Sequence, residues 1–274
     1  AMIQADWQRQ DGADQARPET FAAAFVTQLE KTKALLGHLQ AAYGIEEEGR
    51  AFAAELGRIA EDKGSDPISR YLRLRVLKRR IALANPLMDF GQLLFTKRVP
   101  TSYSHLVMQY YGWRARPGGG LFILEEPGRS LRSRDILGGR LETGNVLEPR
   151  LSYDGKRIIF SYVECPKGPL SHSAVGNDQD PSENFYHIWE VNVDGINLRQ
   201  LTNEAYDDLM PCYLPDGGIA FMSTRRKGYA RCFGGQFSTR WDVYTLHRME
   251  GDGSNIRTLS YHDTNEWYPA VSNT

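Results

Sequence analysis

The feature that most constrains this chain is an ungapped internal repeat in its last third. At a shift of 58 residues, the stretch 186–211 matches the stretch 244–269 in the spacing of its apolar, Asp-Gly and Pro positions. In this alignment Asp194-Gly195 meets Asp252-Gly253, and Pro211 meets Pro269. A match without gaps over such a length indicates a duplicated structural unit.

A second element also recurs, since residues 149–160 resemble residues 211–221, each with a Pro followed by an Asp-Gly pair. The unit therefore contains four short strand-like pieces, of which the first follows the Pro. An Asp-Gly turn joins the first to the second, a long loop joins the second to the third, and another Asp-Gly turn joins the third to the fourth. Asp-Gly pairs are typical of tight hairpins because they tolerate positive φ. Four antiparallel strands that repeat every 40–60 residues or so are typical of a β-propeller blade.

We therefore predict a mainly β protein with a helical N-terminal region and a partial, open β-propeller of about three four-stranded blades. The expected boundaries are a helical region over 1–86, blades at about 87–147, 148–209 and 210–267, and the start of a further blade at 268–274. A closed ring needs roughly four to eight blades. The expectation is thus an N-terminal piece of a longer protein, whose open strand edges favour self-association.

The spacing of apolar residues predicts helices over 19–43, 46–61 and 68–83. The third carries six basic side chains, at Arg70, Arg73, Arg75, Lys78, Arg79 and Arg80. A formal charge of -1 argues against a bulk nucleic-acid binder. We therefore expect no nucleic-acid partner and a solvated basic face, with acidic residues nearby and with Leu72, Val76, Leu77 and Ile81 inward.

Function is expected at one end of the blades. Antiparallel connectivity places both Asp-Gly turns of a blade at one end and the long loops at the other, where binding residues tend to lie. Arg225 and Arg226 lie in such a loop and could clamp an anion. The alternative is a salt bridge between blades, from these arginines to Asp207 or Asp208.

The chain has three cysteines, Cys165, Cys212 and Cys232. Arginines near Cys232 would lower the pKa of its thiol and favour the reactive thiolate. The alternative is a loop thiol packed under Phe233. Cys212 is expected in the core, and the acidic stretch 177–184 lacks the spacing of a calcium loop, so no metal site is predicted.

The sequence lacks several familiar signatures. It has no G-x-S-x-G, H-E-x-x-H, Walker-type or C-x-x-C motif, and no apolar run of about 18 residues that could span a membrane. The first residues do not have the character of a signal peptide. No standalone catalytic centre is therefore predicted.

Residues 214–226 resemble TolB-like propeller repeats. A narrower resemblance, to proteins related to the hydrazine synthase alpha subunit, rests on residues 231–232, 243–249, 252–260 and 265–269, and earlier on 93–98, His105 and 109–112. It covers roughly residues 83–274. Val107-Met108 stand where this family often has Cys-Asp, which weakens any metal or haem site beside His105.

The resemblance implies an exported, periplasmic protein that pairs a propeller with a C-terminal region bearing c-type haem. A propeller cysteine approaches haem in such proteins, which singles out Cys232, with His105, Arg225 and Arg226 as further candidates. No cofactor is expected in this part, and haem c is expected in the full-length parent. The partner would be the parent's C-terminal region or another subunit.

Three functional hypotheses follow. The leading one is a scaffold and site wall of a larger exported redox protein, non-catalytic by itself. The second is a TolB-like binding module for protein or glycan partners, with Trp267, Tyr229 and Phe233 as aromatic anchors. The third is the propeller of a serine peptidase.

Overall fold

A computed structural model of the protein describes residues 2–100, 109–167, 184–228 and 242–272. The chain divides into two compact units, one up to Gly91 and one from Gln92 onwards. No helix among these residues combines the length and the apolar character that crossing a bilayer requires.

The first unit consists of helices, of which three were predicted and the first was not. They are α1 (Met2–Asp11), α2 (Glu19–Tyr43), α3 (Glu46–Glu61) and α4 (Pro67–Leu83). The end of α2 is set by Gly44, which takes the left-handed conformation at φ 64°. Asp66 caps α4 by accepting hydrogen bonds from the first free backbone N–H groups, and Pro67 fits the first turn.

The inward face of α4 differs in part from the prediction. Leu77 and Ile81 are buried as expected, but Val76 is 45% exposed and Leu74 is fully buried instead. Leu74, Leu77 and Ile81 follow the 3.6-residue period, whereas Val76 lies on a different side of the helix. The expectation for Val76 was therefore wrong.

The basic residues of α4 mostly hold helices together. Arg75 is buried, lies 3.3 Å from the Asp11 carboxylate and packs against the Trp7 ring. Arg73 pairs with Asp62 at 2.6 Å, one of the acidic residues expected nearby. The face is thus largely neutralised within the helical unit, and Arg75 is not solvated as predicted.

The second unit contains three antiparallel sheets. The first sheet has β1 (Gln92–Arg98), β2 (Gly119–Glu125) and β3 (Ser133–Asp135); the second has β4 (Gly144–Leu151), β5 (Arg157–Glu164), β6 (His187–Asn192) and β7 (Arg199–Gln200); the third has β8 (Asp208–Tyr213), β9 (Ile219–Ser223), β10 (Thr245–Met249) and β11 (Arg257–Thr258). A short 3-10 helix, Gly112–Arg114, lies between β1 and β2.

The sequence repeat is present in the hydrogen bonds of the second and third sheets. The Ile188 N–H donates to Thr202 Oγ1 at 2.9 Å, and one repeat later the Leu246 N–H donates to Ser260 Oγ at the same distance. The side chain that closes the fourth strand therefore recurs with the backbone. The duplication in the sequence is therefore also a duplication in the structure.

The prolines of the repeat lie inside the first strands, whereas the prediction placed these strands after them. Pro149 lies in β4 and Pro211 in β8, and the pairing register shifts at both points. The preceding residues, Glu148 and Met210, have φ of 52° and 54°. Proline has no N–H for the ladder, so a bulge is the place where a strand tolerates it.

The first sheet has three strands among the described residues, not the four expected. One backbone hydrogen bond recurs in all three sheets and identifies the equivalent strands. The residue after the last strand donates its N–H to a carbonyl of the neighbouring strand, from Ile136 to Leu121, from Leu201 to Ile188 and from Leu259 to Leu246. On this basis β2 corresponds to β6 and β10. Its neighbour β1 then corresponds to β5 and β9, the second strands of the repeat.

The sheets pack face to face through separate cores. Leu121 of the first sheet packs with Ile158 and Phe160 of the second. Ile159 of the second sheet packs with Phe221 of the third. Because successive strand residues point to opposite faces, β5 supplies both cores and the second sheet lies between its neighbours.

Candidate binding site

The long connections of the second unit meet at one end of the sheets, which we call the loop end. β5 and β7 end there and β6 and β8 begin there, whereas the Asp-Gly turns of the second sheet lie at its other end. A buried cluster at the loop end joins the second and third sheets to the connection between β1 and β2. It contains Tyr111, Trp113, Ala115, Leu147, Val163, Cys165, Tyr186, Leu209, Met210, Met222 and Tyr244.

Tyrosine side chains anchor this cluster. The Tyr244 hydroxyl donates to the Tyr110 carbonyl at 2.8 Å, and the Tyr111 hydroxyl donates to the Asp242 carbonyl at 2.8 Å. Both bonds run between the β1–β2 connection and the strand entry of β10. They fix the connection of the first sheet against the third.

Asp207 holds two connections of the loop end in place. Its carboxylate is buried and accepts the N–H groups of Gly112 and Tyr186, each at 2.9 Å. Burial raises the pKa of Asp207 to about 7, and the charge of Asp208 adds to this effect, while the two N–H bonds oppose it. The carboxyl group therefore ties two connections together and is not open to a ligand.

The equivalent residue of the next repeat is an amide. Asn265 Oδ1 accepts the Tyr244 N–H at 2.8 Å, as Asp207 accepts the Tyr186 N–H. A neutral acceptor thus performs the same task without a charge. This equivalence identifies the role of Asp207 as structural.

Beside the buried cluster lies a partly exposed group of aromatic side chains, which we call the ring platform: Tyr110, Trp267 and Tyr268. The Tyr110 and Trp267 ring centroids are 4.8 Å apart, and the Tyr110 and Tyr268 hydroxyls are 2.9 Å apart. Tyr268 is 51% exposed. The platform offers ring faces and hydroxyls on a backbone that Asn265 and Asp207 hold in place.

Glu148 adjoins the platform. Burial raises the pKa of Glu148, while a hydrogen bond from Tyr268 and the charges of Arg98 and Arg150 oppose the rise. Its Oε2 is buried and has no hydrogen-bond partner among the described groups. The Tyr268 N–H also donates to the Met210 sulfur at 3.2 Å.

Glu148, Met210 and Tyr268 occupy the same repeat position, each with positive φ before a proline. The three equivalents of successive repeats therefore converge at one point of the loop end. Such a surface can stack on a planar or apolar group and accept a hydrogen bond from it. Tyr110, Tyr268 and Glu148 were not predicted as site residues from the sequence. Two of them, Glu148 and Tyr268, directly precede the recurrent prolines.

Arg225 is engaged within the protein. Its guanidinium donates to both carboxylate oxygens of Asp208, at 3.0 and 2.8 Å, to Glu204 at 3.0 Å and to the Asn203 carbonyl at 2.7 Å. The side chain is 12% exposed and Asp208 is fully buried. A salt bridge to Asp208 is thus present, but it lies within the third sheet and its entry loop and does not join two blades as predicted.

Arg226 is engaged separately. It donates to the His262 carbonyl at 2.7 Å and lies 3.5 Å from the Asp263 carboxylate. The two neighbouring arginines share no partner among the described residues. Their geometry does not form the joint anion clamp that the sequence suggested.

Two of the cysteines are described, and both are free. Cys165 is fully buried in the loop-end cluster, where burial and the nearby Glu164 raise the pKa of its thiol to about 11. Cys212 is partly exposed in β8 rather than fully in the core. A thiol with the properties of Cys165 stays protonated at neutral pH and is a poor nucleophile.

Several predicted site residues cannot be placed. His105, Tyr229, Cys232 and Phe233 lie outside the described residues, and Trp267 is the predicted anchor that the structure places, in the ring platform. Within the described ranges no group of three His, Cys, Asp or Glu side chains could hold a metal ion. Any haem contact of Cys232 or His105 remains a prediction.

No protein-family model matches the chain. No curated protein matches it either.

Similar solved structures do exist. The chain is similar to the hydrazine synthase of Kuenenia stuttgartiensis, at 16% identity and a TM-score of 0.47 over 66% of this chain and 26% of that one. It is also similar to a TolB protein from Agrobacterium tumefaciens, at 18% identity and a TM-score of 0.36 over 66% and 51%. A puromycin hydrolase matches at 15% identity and a TM-score of 0.38, over 63% and 22%.

The chain thus spans about a quarter of the hydrazine synthase chain and about half of the TolB chain. The relation to these proteins suspected from the sequence is therefore found among solved structures too. At such identities and scores it is a similarity only.

Proposed function

We propose that the three sheets are blades of an open β-propeller that serves as a scaffold and as one wall of a binding site. The wall is the loop end, with the ring platform and Glu148 as its contact groups. In this proposal the fragment performs no chemistry itself. It positions a surface against a partner, which is the C-terminal region of a longer parent or another subunit.

The observation that carries the proposal is the contrast between the charged and the aromatic side chains of the loop end. The charged groups of Arg225, Asp208 and Asp207 already form hydrogen bonds within the protein. Trp267 and Tyr268 instead keep part of their surface exposed. Aromatic groups on a rigid backbone are the usual anchors of binding surfaces, because they bury a large area with little loss of rotamer freedom.

We further propose that the parent is an exported, periplasmic redox protein that carries haem c outside this chain. The support is the sequence resemblance around residues 243–269. Cys232 and His105 are the residues of this chain proposed to face that haem region. The haem would supply the electron transfer, and this chain would shape and shield one side of the site.

The alternative is a TolB-like module that binds a protein or glycan without any redox partner. The exposure of Tyr268 beside Trp267 favours it equally well. In that case the aromatic anchors Trp267, Tyr229 and Phe233 matter, and Cys232 does not.

The deciding experiment is to purify the whole protein encoded by the gene after expression in a bacterial host that matures c-type cytochromes. Covalent haem that survives denaturation, in protein recovered from the periplasmic fraction, is the expected result. A periplasmic protein without haem would point to the binding module. A serine-reactive protein labelled by a fluorophosphonate would point to the peptidase propeller and contradict the proposal.

Thiol labelling tests the part assigned to Cys232. The alkylation rate of Cys232 should rise with pH as its thiol ionises, and the midpoint of that rise should lie at a pKa below that of an ordinary cysteine. Cys165 should stay unlabelled until the protein unfolds. A Cys165→Ala, Cys212→Ala background isolates the signal of Cys232. Labelling of Cys232 with an ordinary thiol pKa would contradict a tuned site.

A further inference from the structure

Among the described residues, the first sheet has no counterpart of the strand that begins the other two. β1 pairs with β2 along one edge, and no described strand pairs with its other edge. The equivalent strands are enclosed on both sides, β5 by β4 and β6, and β9 by β8 and β10. An unpaired edge leaves a row of backbone N–H and C=O groups available to another strand.

Exposure shows that this part of the first sheet is uncovered. Leu93 of β1 is 44% exposed, whereas its equivalents Ile158 in β5 and Ile219 in β9 are fully buried. The equivalence follows from the pairing of each of these strands with the third strand of its sheet. Ile158 packs against the first sheet and Ile219 against the second, so Leu93 lies on the corresponding face of the first sheet, which no described sheet covers.

The chain also carries a first strand without a sheet. Residues 266–272 align with β8 at the 58-residue shift, and Tyr268 before Pro269 has φ 54°, as Met210 has before Pro211. These residues belong to no strand in the described part of the chain. Ala270 and Ser272 are exposed, and Val271 is 37% exposed.

We propose that the free edge of β1 binds residues 266–272 of a second copy of this chain as an antiparallel first strand. The pairs of the third sheet fix the register, because Ser223 faces Asp208 and Ile219 faces Tyr213. Carried over by equivalence, Lys97 faces Glu266, and Leu93 faces Val271.

This register is chemically complementary. Leu93 and Val271 are both apolar and both partly exposed. Lys97 and Glu266 carry opposite charges, and Glu266 Oε2 also accepts the Leu246 N–H at 3.0 Å within its own copy. The bulge at Tyr268-Pro269 falls opposite Phe95, the position that Phe221 takes in the third sheet. Main-chain hydrogen bonds supply the affinity and these side-chain pairs set the register.

In the part of the chain that the structure describes, each copy has one free β1 edge and one unpaired first strand, so the contact is head to tail. Such an interface leaves a second edge and a second strand free in every dimer. The expected behaviour is association that rises with concentration beyond the dimer, unless a ring closes.

The first test measures the mass of the chain by analytical ultracentrifugation as a function of concentration. Successive N–H groups of a strand point to opposite edges, so either Ala270→Pro or Val271→Pro removes a donor of the proposed ladder. One of the two variants should weaken association by about tenfold or more. The control Val271→Ala keeps the N–H and should associate nearly as the original chain does.

The second test fixes the register by disulfide formation between two copies. One copy carries Leu93→Cys and the other Val271→Cys, a directly opposed pair whose Cβ atoms would lie about 4.5–5.5 Å apart. Oxidation should link them rapidly. The control pair, Leu93→Cys with Ser272→Cys, points to the opposite face and should link at least about tenfold more slowly.

A chain that stays monomeric at all concentrations would overturn the proposal. This holds also if the chain is monomeric because another segment of a longer polypeptide fills the edge. Association that persists unchanged in both proline variants would overturn it as well, since another surface would then be responsible. Equal disulfide yields from the two cysteine pairs would contradict the register.

Discussion

Asp207 and Asn265 hold the same position in successive repeats, yet only Asp207 can ionise. Each accepts the backbone N–H of a strand-entry tyrosine. Two N–H donors favour the ionised form of Asp207, but burial outweighs them and raises its pKa from 3.8 to about 7. A buried carboxyl group with this pKa makes the stability of the fold depend on pH.

We expect Asp207→Asn to remove that dependence. Because the folded-state pKa lies above the unfolded value, stability is fully present below pH 3.8 and is lost as the pH rises through 7. At pH 8 the variant should be more stable, by on the order of 2 kcal/mol, and at pH 4 the two should be similar. Urea unfolding at both pH values measures the difference.

Asp208→Asn is the control for this prediction. Asp208 is buried beside Arg225, so the loss of its charge should destabilise the protein at both pH values. A variant of Asp207 that is less stable than the original chain at pH 8 would show that the carboxylate is needed in its charged form.

Arg225 and Arg226 are adjacent but should respond very differently to replacement. Arg225→Ala leaves the fully buried Asp208 without its partner, which should cost about 3–5 kcal/mol. Arg226→Ala removes a contact to Asp263, whose side chain is 85% exposed, and should cost at most about 1 kcal/mol. Denaturant midpoints compare the two. Equal, small losses would mean that Arg225 is free to bind a ligand.

At the scale of the secondary-structure elements, the bulged first strands place the site. The positive φ at Glu148, Met210 and Tyr268 turns each strand at its proline, and the three residues meet at the loop end. Non-glycine residues at such φ carry strain, which the repeated bulge maintains. The residue before each proline is thus a better marker of the loop end than the proline itself.

Gly112 shows how tightly the β1–β2 connection fits. A Cβ there would lie 2.3 Å from the Asn184 carbonyl oxygen, so Gly112→Ala must displace backbone and weaken the bond to Asp207. We expect a loss of about 3 kcal/mol in urea unfolding. Gly91→Ala, where a Cβ meets nothing within 4 Å, is the control and should change little. Equal effects would contradict the close packing of this connection.

The sequence predicted three helices and most strands because their patterns are local. It missed α1, since its ten residues have no buried apolar face and depend on the distant contacts of Asp11 and Trp7 with Arg75. It misplaced the start of the first strands, since a proline normally ends a ladder and only the bulge permits it. Both features depend on partners far away in sequence.

The candidate site was predictable only in its location. Connectivity alone placed the long connections at one end, and Trp267 was selected there as an anchor. Tyr110 could not be selected, because its contact with Tyr268 joins residues 158 positions apart. The engagement of Arg225 with Asp208 was one of two open alternatives, and burial of Asp208 decided between them.

At the scale of the whole molecule, the β unit exposes two different kinds of surface. One is the free edge of β1, which is suited to another strand. The other is the ring platform at the loop end, which is suited to a partner that stacks and hydrogen-bonds. Tyr268 belongs to the ring platform and also to the segment 266–272, so the platform is tested at a concentration at which the isolated chain is monomeric.

The most direct test of the loop end as a binding wall is hydroxyl-radical footprinting of this chain alone and within the proposed longer protein. Tyr268 at the loop end and Tyr153 at the opposite, Asp-Gly end are 51% and 68% exposed, so both should react in the isolated chain. In the longer protein we predict that Tyr268 becomes at least about fivefold less reactive as its area is buried, while Tyr153 is unchanged. Unchanged reactivity of Tyr268, or equal protection of both tyrosines, would contradict the account.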